Sequence, residues 1–315
     1  MDPRLHALIE LHGVFLRKEA VELGYHDHAI ASYVRRGMWV RVRRGAYVFG
    51  VAWDRLSEAD RYAVLCRAGL RQARTGAVLS HLSALNAYGA PLWDQPFDIV
   101  HLTRRDRRTG RKEAGIQQHR GVLLPQDVTE RNGVPTVVPV RAALEIITLT
   151  NVEHAVVEID WLLHNRHTTL DALRTRYQQM THWPHTLRAE LVLRLVDGRS
   201  ESVGESRARY LCWTQGLPAP VPNYPILGPD GSEIARVDLA WPELGVFLEF
   251  DGKVKYQRYL AADEDVTECV LREKERESMI CELTGWRCIR IGWADLYRPS
   301  DVAARIRRLF RPVAA

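Results

Sequence analysis

The chain has 315 residues, a hydrophobic fraction of 46% and a formal net charge of +5. This length accommodates two or three domains with ordinary cores. No segment reaches the ~18 apolar residues of a membrane span, and Asp2 with no long apolar run after it argues against a signal peptide. The five cysteines form no CxxC pair, so we expect a cytoplasmic protein with reduced thiols and no zinc site.

Residues 1–53 are predicted to form a winged helix-turn-helix. Helical spacing of apolar residues predicts a first helix around Leu5–Leu11, a second over 17–23, and a third that is capped by Asp27 and ends near Arg36. Trp39–Arg43 and Ala46–Phe49 alternate as the two strands of a wing. In such a domain the third helix enters the major groove and the wing follows the DNA backbone.

Basic and polar residues concentrate on the two elements of this domain that would touch DNA. The expected DNA-binding residues are His28, Ser32, Arg35, Arg36, Arg41, Arg43 and Arg44. Most of these contacts would be to phosphate, so affinity should fall steeply with salt. The alternative is an ordinary surface, because arginines are common there and winged helices also bind proteins.

Residues 54–196 are predicted to form a middle α/β domain with a helical connector. Helices are predicted over 59–73, 80–89, 137–148, 152–165, 170–179 and 188–196, with one strand over 97–102. The basic loop from Arg104 to Lys112 is either a backbone clamp for DNA or a solvated loop. The histidines, including His81, His101 and His119, form no metal-ligand spacing, so we expect structural or surface roles.

Residues 197–315 are predicted to form a third domain with the element order αβββαβ. The order is a helix over 201–215, strands over 221–227, 233–240 and 245–251, a helix over 263–284, a strand over 286–291 and a final helix over 301–310. Helices packed on a small mixed sheet account for this order. The whole chain is thus expected to be an α/β multidomain protein.

An acidic hairpin lies within this third domain. If the turn centres between Glu243 and Leu244, Asp238 lies opposite Glu249. Strand alternation then places Asp251 and Lys253 on the face of Glu249, with apolar side chains on the other face.

Acidic residues that converge from paired strands suit a hard divalent cation, Mg²⁺ or Mn²⁺, and such a cation can activate water against a phosphodiester. The alternative is a solvated, salt-bridged hairpin face. The later segment EKERE, residues 273–277, is interpreted either as a charged outer helix face with i, i+4 pairs or as a surface where Lys274 and Arg276 contact phosphate.

Residues 201–298 resemble the PD-(D/E)XK nuclease superfamily, near its very-short-patch-repair (Vsr-like) branch. The resemblance rests on Glu205, Asp238, Glu249, the FDGK segment, EKERE and GWRCIRIGWADL. It implies Asp238 and Glu249 as metal ligands, Glu205 as an accessory ligand, and a lysine that holds the attacking water. Asp251 stands where the superfamily pattern has that lysine, so Lys253 or Lys255 would take its role.

Residues 1–50 and about 75–150 resemble the AbiEi-type antitoxins of bacterial type IV toxin–antitoxin systems. The winged helix and the segment SHLSALNAYGAP, which begins at Ser80, carry this resemblance. It implies DNA binding, often autoregulatory, without catalysis.

Two functions are therefore expected. The first is a DNA-binding protein whose winged helix targets a metal-dependent endodeoxyribonuclease-like domain, for phage defence, repair or regulation; a homodimer would let two such sites cut both strands. The alternative is a non-catalytic antitoxin or autorepressor with a cognate toxin protein as its partner. RNA as the substrate is a third option.

Overall fold

The computed structural model describes residues 2–73, 76–106, 110, 112–180, 183, 186–252 and 266–310. The chain divides into two compact units. The first comprises Met1–Thr150 and Thr168–Ala189, and the second comprises Asn151–His167 and Glu190–Ala315. The first unit therefore holds the predicted winged helix and most of the predicted middle domain. No helix among the described residues is long and apolar enough to cross a membrane.

The winged helix begins the first unit. Its elements are α1 (Pro3–His12), β1 (Phe15–Leu16), α2 (Arg17–Glu22), α3 (Asp27–Arg35), β2 (Trp39–Arg43) and β3 (Ala46–Phe49). The strands form an antiparallel sheet in the order β1-β3-β2. Asp27 as the cap of α3 is wrong, because the N-cap is His26 and Asp27 is the first helical residue. The Asp27 carboxylate instead accepts two hydrogen bonds from the Arg17 guanidinium, at 2.6 and 2.8 Å.

The rest of the first unit is a mixed sheet covered by helices. Its elements are α4 (Gly50–Asp54), α5 (Glu58–Gln72), β4 (Ala77–Leu79), α6 (His81–Tyr88), β5 (Val100–Arg104), β6 (Lys112–Glu113), β7 (Ile116–His119), β8 (Val128–Arg131), β9 (Val134–Val137), α7 (Pro139–Leu149) and α9 (Leu170–Gln178). Within the described residues the sheet order is β6-β7-β5-β4-β9-β8. The sequence predicted only β5, because the other strands have two to four residues and show little alternation.

The second unit has the predicted αβββαβ order. After α8 (Val152–His164) and α10 (Ala189–Leu195), the chain forms α11 (Val203–Thr214), β10 (Val221–Leu227), β11 (Glu233–Trp241), β12 (Val246–Asp251), α12 (Val266–Thr284), β13 (Arg287–Gly292) and α13 (Pro299–Leu309). The sheet order is β10-β11-β12-β13, with β12 and β13 parallel and the other neighbours antiparallel. This confirms the order of elements; the nuclease assignment stays a prediction.

Strand β12 is apolar on both sides of the sheet. Leu248 and Phe250 join the core formed with α11 and α13, as alternation predicted. Phe247 packs on the opposite side against Ile280 of α12. Two buried faces explain why five of its six residues are buried. Glu249 is among them, so its charge is held in an environment that is poor in water.

Gly204 allows α11 to approach β12. A Cβ atom on Gly204 would lie 2.1 Å from Cε1 of the Phe250 ring, which is itself buried in the core. We therefore expect Gly204→Ala to destabilise the second unit by about 1–3 kcal/mol through overpacking, measured as a lower Tm. Gly292→Ala is the matched control, since its Cβ would make an ordinary 3.5 Å contact with the Asp251 carbonyl oxygen. Equal melting of the two variants would contradict this packing.

Candidate functional site

The third helix of the winged helix is held by an aromatic core. The Trp39 ring lies with its centroid 4.8 Å from that of Phe15 and 4.9 Å from that of Tyr33, the latter in a stacked arrangement. Ile30 of α3 is buried in the same cluster. These contacts hold one face of α3 against the core, so the opposite face is exposed to solvent.

Most of the predicted DNA-binding side chains are exposed. His28, Arg35 and Arg36 are exposed at α3, and Ser32 is half-buried. Arg41 and Arg44 are exposed on the wing. The structure therefore brings basic side chains of the helix and the wing to the surface of one small domain, as expected from the sequence.

Arg43 differs from its neighbours on the wing. Its Nη2 donates to the Ala114 carbonyl oxygen at 3.4 Å, while its Nε and Nη1 are buried and make no hydrogen bond with another described residue. Burial lowers the pKa of Arg43. Because the guanidinium points into the first unit, Arg43 is less suited to phosphate contact than Arg41 or Arg44.

The acidic hairpin has the predicted register. Leu239 pairs with Leu248, Ala240 with Phe247 and Trp241 with Val246. One residue further along the same register Asp238 would face Glu249, and the Asp238 carboxylate contacts β12 at the Phe250 backbone nitrogen. The apolar pairs that follow the acids are buried on both sides of the sheet. A slip by one residue would turn Glu249 into the apolar core around Leu248, and this cost favours the observed register.

Glu205 lies near Asp238. Its Oε2 accepts hydrogen bonds from the Glu201 backbone nitrogen at 2.9 Å and from Asn223 Nδ2 at 3.0 Å, and its Oε1 accepts one from Ser202 Oγ at 2.7 Å. Burial, and secondly the charge of Asp238, raise the pKa of Glu205. The carboxylate is thus close to Asp238, with both oxygens already bound by donors of the protein.

Asp238 and Glu249 are also bound by donors. Asp238 Oδ2 accepts a hydrogen bond from the Phe250 backbone nitrogen at 2.6 Å. Glu249 Oε1 accepts one from Arg276 Nη2 at 2.7 Å. Asp251 is half-buried at the end of β12, and the predicted catalytic Lys253, with Lys255, lies outside the described residues. Among the described residues, no group of three or more histidines, cysteines or acids is arranged to hold a metal ion.

The EKERE segment does not form the i, i+4 pairs that the sequence suggests. Glu273 and Glu277 of α12 both bind Arg290 of β13, at 3.3 and 2.6 Å. Arg276 turns to the sheet and binds Glu249. The sequence did not predict that Arg276 binds Glu249. The spacing of four residues between Arg276 and the buried Ile280 does indicate that both side chains lie on the face of α12 that points to the sheet.

A second polar cluster, which the sequence did not predict, lies in the first unit. The rings of His81 and His119 stack with centroids 3.7 Å apart, and His101 Nδ1 lies 2.9 Å from His119 Nε2. Glu145 Oε2 accepts a hydrogen bond from the His81 backbone nitrogen at 3.1 Å, and its Oε1 accepts one from Arg141 Nε at 2.8 Å. We call His81, His101 and His119 the histidine cluster.

Burial keeps the histidine cluster neutral. It lowers the pKa of His101 to about 3 and that of His119 to about 4, and it lowers the pKa of His81 well below the usual value. The neighbouring imidazoles add to the effect at His81 and His101. No sequence pattern signals the cluster, since His101 and His119 lie on separate strands that meet only through the pairing of β5 with β7.

Comparison with known proteins supports the winged-helix assignment. Residues 4–50 match the family model described as "Transcriptional regulator, AbiEi antitoxin". The chain is also similar to two proteins of Mycobacterium tuberculosis, uncharacterized protein MT2308 of strain CDC 1551 and uncharacterized protein Rv2248 of strain H37Rv. Each is 30% identical over 193 residues, which cover 60% of this chain and 68% of the relative.

The chain belongs to the family of these mycobacterial proteins. The similarity to them spans 193 residues and is therefore longer than the stretch 4–50 that matches the AbiEi model. The match over residues 4–50 supports a DNA-binding regulator of the AbiEi type. These comparisons say nothing about a nuclease in the second unit.

The histidine cluster predicts loss of stability in acid. In the folded state these pKa values lie below the ~6.5 of an unfolded histidine, so the unfolded chain binds more protons. The stability that the neutral cluster contributes is present above about pH 6.5 and is lost as the pH falls toward 3–4. We expect Tm to fall less between pH 7.5 and 5 for His101→Gln/His119→Gln than for the wild type.

The matched control for this prediction is His28→Gln, because His28 is exposed on α3. It should keep the wild-type dependence of Tm on pH, measured by circular dichroism. If the cluster variant and the control lose the same Tm between the two pH values, the imidazoles are not titrating on unfolding and the prediction is wrong.

Proposed function

We propose that the protein is a DNA-binding transcriptional regulator of the AbiEi antitoxin type. One observation carries this proposal. Residues 4–50, which match the AbiEi model, contain helix α3. This helix is anchored by a buried aromatic core and exposes Arg35 and Arg36 at its C-terminal end. A rigid support with long cationic side chains on its outer face is the arrangement by which winged helices bind duplex DNA.

The charges of this domain favour contacts with phosphate. Arg41 and Arg44 of the wing are exposed, whereas Arg17 is paired with Asp27 and Arg43 is turned inward. The helix and the wing therefore supply four exposed arginines for the DNA backbone, with His28 and Ser32 on α3 available for base edges.

Under this proposal the second unit is a structural or partner-binding module, and a cognate toxin protein is the partner that the antitoxin description implies.

Substitution on α3 tests DNA binding. We expect Arg35→Ala/Arg36→Ala to weaken binding to a duplex from the region upstream of the protein's own coding sequence by about tenfold or more, and to reduce the salt slope of log K by ~1 for each phosphate that no longer binds an arginine. The measurement is fluorescence anisotropy over a salt series. Arg174→Ala, at an exposed position on α9, is the control and should bind as the wild type does. Equal affinity of the double variant and the control would contradict the proposal.

A metal-dependent nuclease is the second candidate, and one observation favours it. The register of β11 and β12 pairs Leu239 with Leu248, and one residue further along it Asp238 would face Glu249. The charge of Asp238 contributes to the raised pKa of Glu205 on α11, which supports a short distance between these two acids. These are the residues that the sequence assigned to Mg²⁺ or Mn²⁺.

The donor set of these acids does not fit a resident cation. Both oxygens of Glu205, Oδ2 of Asp238 and Oε1 of Glu249 each accept a hydrogen bond from the protein. Neutral donors leave a second lone pair on each carboxylate oxygen, but the Arg276 guanidinium on Glu249 brings a positive charge that repels a divalent cation. The non-catalytic regulator is therefore the function that these contacts support better.

Cleavage of supercoiled plasmid separates the two candidates. We expect the wild type to show no more cleavage in Mg²⁺ or Mn²⁺ than Asp238→Ala or Glu249→Ala, while its salt-sensitive DNA binding is intact. Cation-dependent cutting by the wild type that both variants lose would instead establish the nuclease. An RNA substrate in the same assay tests the third option from the sequence.

A further inference from the structure

Helix α12 packs on the sheet of the second unit through the side that carries Arg276. Ile280 of α12 is fully buried against Phe247 of β12. Arg276 precedes Ile280 by four residues, one turn of helix, so both side chains lie on the same face. That face points toward the side of β12 that holds Phe247 and, two residues further along the strand, Glu249.

The Arg276 guanidinium bridges the two strands of the acidic hairpin. Its Nη2 donates to Glu249 Oε1 at 2.7 Å, and its Nη1 donates to the Arg236 carbonyl oxygen at 2.9 Å. Glu249 belongs to β12, and Arg236 lies in β11 two residues before Asp238. The guanidinium, planar and always protonated, therefore binds one group on each of the two strands.

The nearby Arg290 is engaged by acids of α12. Arg290 is the register partner of Glu249 across the parallel pair β12–β13, but its Nε binds Glu277 Oε2 at 2.6 Å and its Nη1 binds Glu273 Oε2 at 3.3 Å. Glu249 forms its ion pair with Arg276 instead. The Glu249 side chain in this pair is only 10% exposed, so removal of the Arg276 charge acts on a poorly solvated carboxylate.

A divalent cation and the Arg276 guanidinium exclude each other. Mg²⁺ binds carboxylate oxygens at about 2.0–2.1 Å and repels a cationic neighbour. Glu249 Oε1 already accepts a hydrogen bond from Arg276 Nη2. Binding of a cation at this position requires Arg276 to leave.

We infer that Arg276 is the built-in cation of the acidic cluster formed by Glu205, Asp238 and Glu249. Its guanidinium takes the electrostatic role that a divalent cation would have beside Glu249. The acidic cluster is then a metal-independent structural centre that joins α12 to the sheet. Removal of the Arg276 charge should convert it into a site for a divalent cation.

The experiment uses the full-length protein and the variant Arg276→Met. Thermal unfolding is followed without added metal and in millimolar Mn²⁺, and bound Mn²⁺ is counted by electron paramagnetic resonance. We expect the wild type to bind no Mn²⁺ at this cluster and to show no Mn²⁺-dependent rise in Tm. Arg276→Met should lose about 4 °C or more in Tm without metal and should regain stability on binding one Mn²⁺.

Two controls and one alternative variant accompany Arg276→Met. Lys274→Met removes an exposed charge from the same helix and should behave as the wild type does. The combination Arg276→Met/Asp238→Asn should lose the response to Mn²⁺, because it removes an acid from the cluster. Where Arg276→Met does not fold, Arg276→Gln keeps a hydrogen-bond donor without the charge and carries the same expectation.

Two results would overturn the inference. One is wild-type binding of Mn²⁺ that depends on Asp238, since the cluster would then hold a cation with Arg276 present. The other is a folded Arg276 variant that binds no Mn²⁺, since Arg276 would then be an ordinary ion-pair partner. DNA affinity of the variants, measured on the same samples, should equal that of the wild type; failure of the wild type to bind DNA would contradict the proposed regulator without affecting this inference.

Discussion

The antiparallel register between β11 and β12 is the constraint on which the second unit depends. Burial of Leu239, Trp241 and Leu248 between the sheet and its helices makes a one-residue slip costly. The same register leaves Glu249 buried on the side of β12 that packs against α12, so a carboxylate lies in a poorly hydrated interface. Charges in that position need a partner, and the helix on that side supplies one in Arg276.

The first unit also contains buried charges, and they are neutralised within a polar network. Arg141 is 2% exposed and binds both Asp127 and Glu145, while Arg176 binds Asp127 from α9. Glu145 in turn holds the backbone of His81 at the start of α6. Each ion is therefore compensated by a neighbour, and the neutral histidine cluster beside them avoids a further buried charge.

These two arrangements assign different roles to the units. In the first unit the aromatic core around Trp39 supports α3 without using the basic residues on its surface, which leaves them available to a polyanion. In the second unit the acids that suggest metal chemistry are bound by donors of the protein. A DNA-binding regulator with a non-catalytic second unit is consistent with both observations.

Elements with strong local signals were predicted from the sequence. The wing strands 39–43 and 46–49 and the strand 221–227 have the predicted bounds, because alternation and turn glycines act over a few residues. The predicted turn at Glu243 and Leu244 has the register that pairs Leu239 with Leu248, since a hairpin register follows from its turn. The exposed side of α3 was also predicted, because helical periodicity identifies which residues face the core.

Only the tertiary structure decided which charges meet. Arg276 is 27 residues from Glu249, and His101 is 18 residues from His119, so no local pattern reports these contacts. The short strands of the central sheet were missed for the same reason, because they are stabilised by distant partners rather than by their own periodicity. The sequence by itself determined the elements with strong local signals and the register of the acidic hairpin, because both follow from short-range patterns. Long-range packing determined that Arg276 neutralises Glu249.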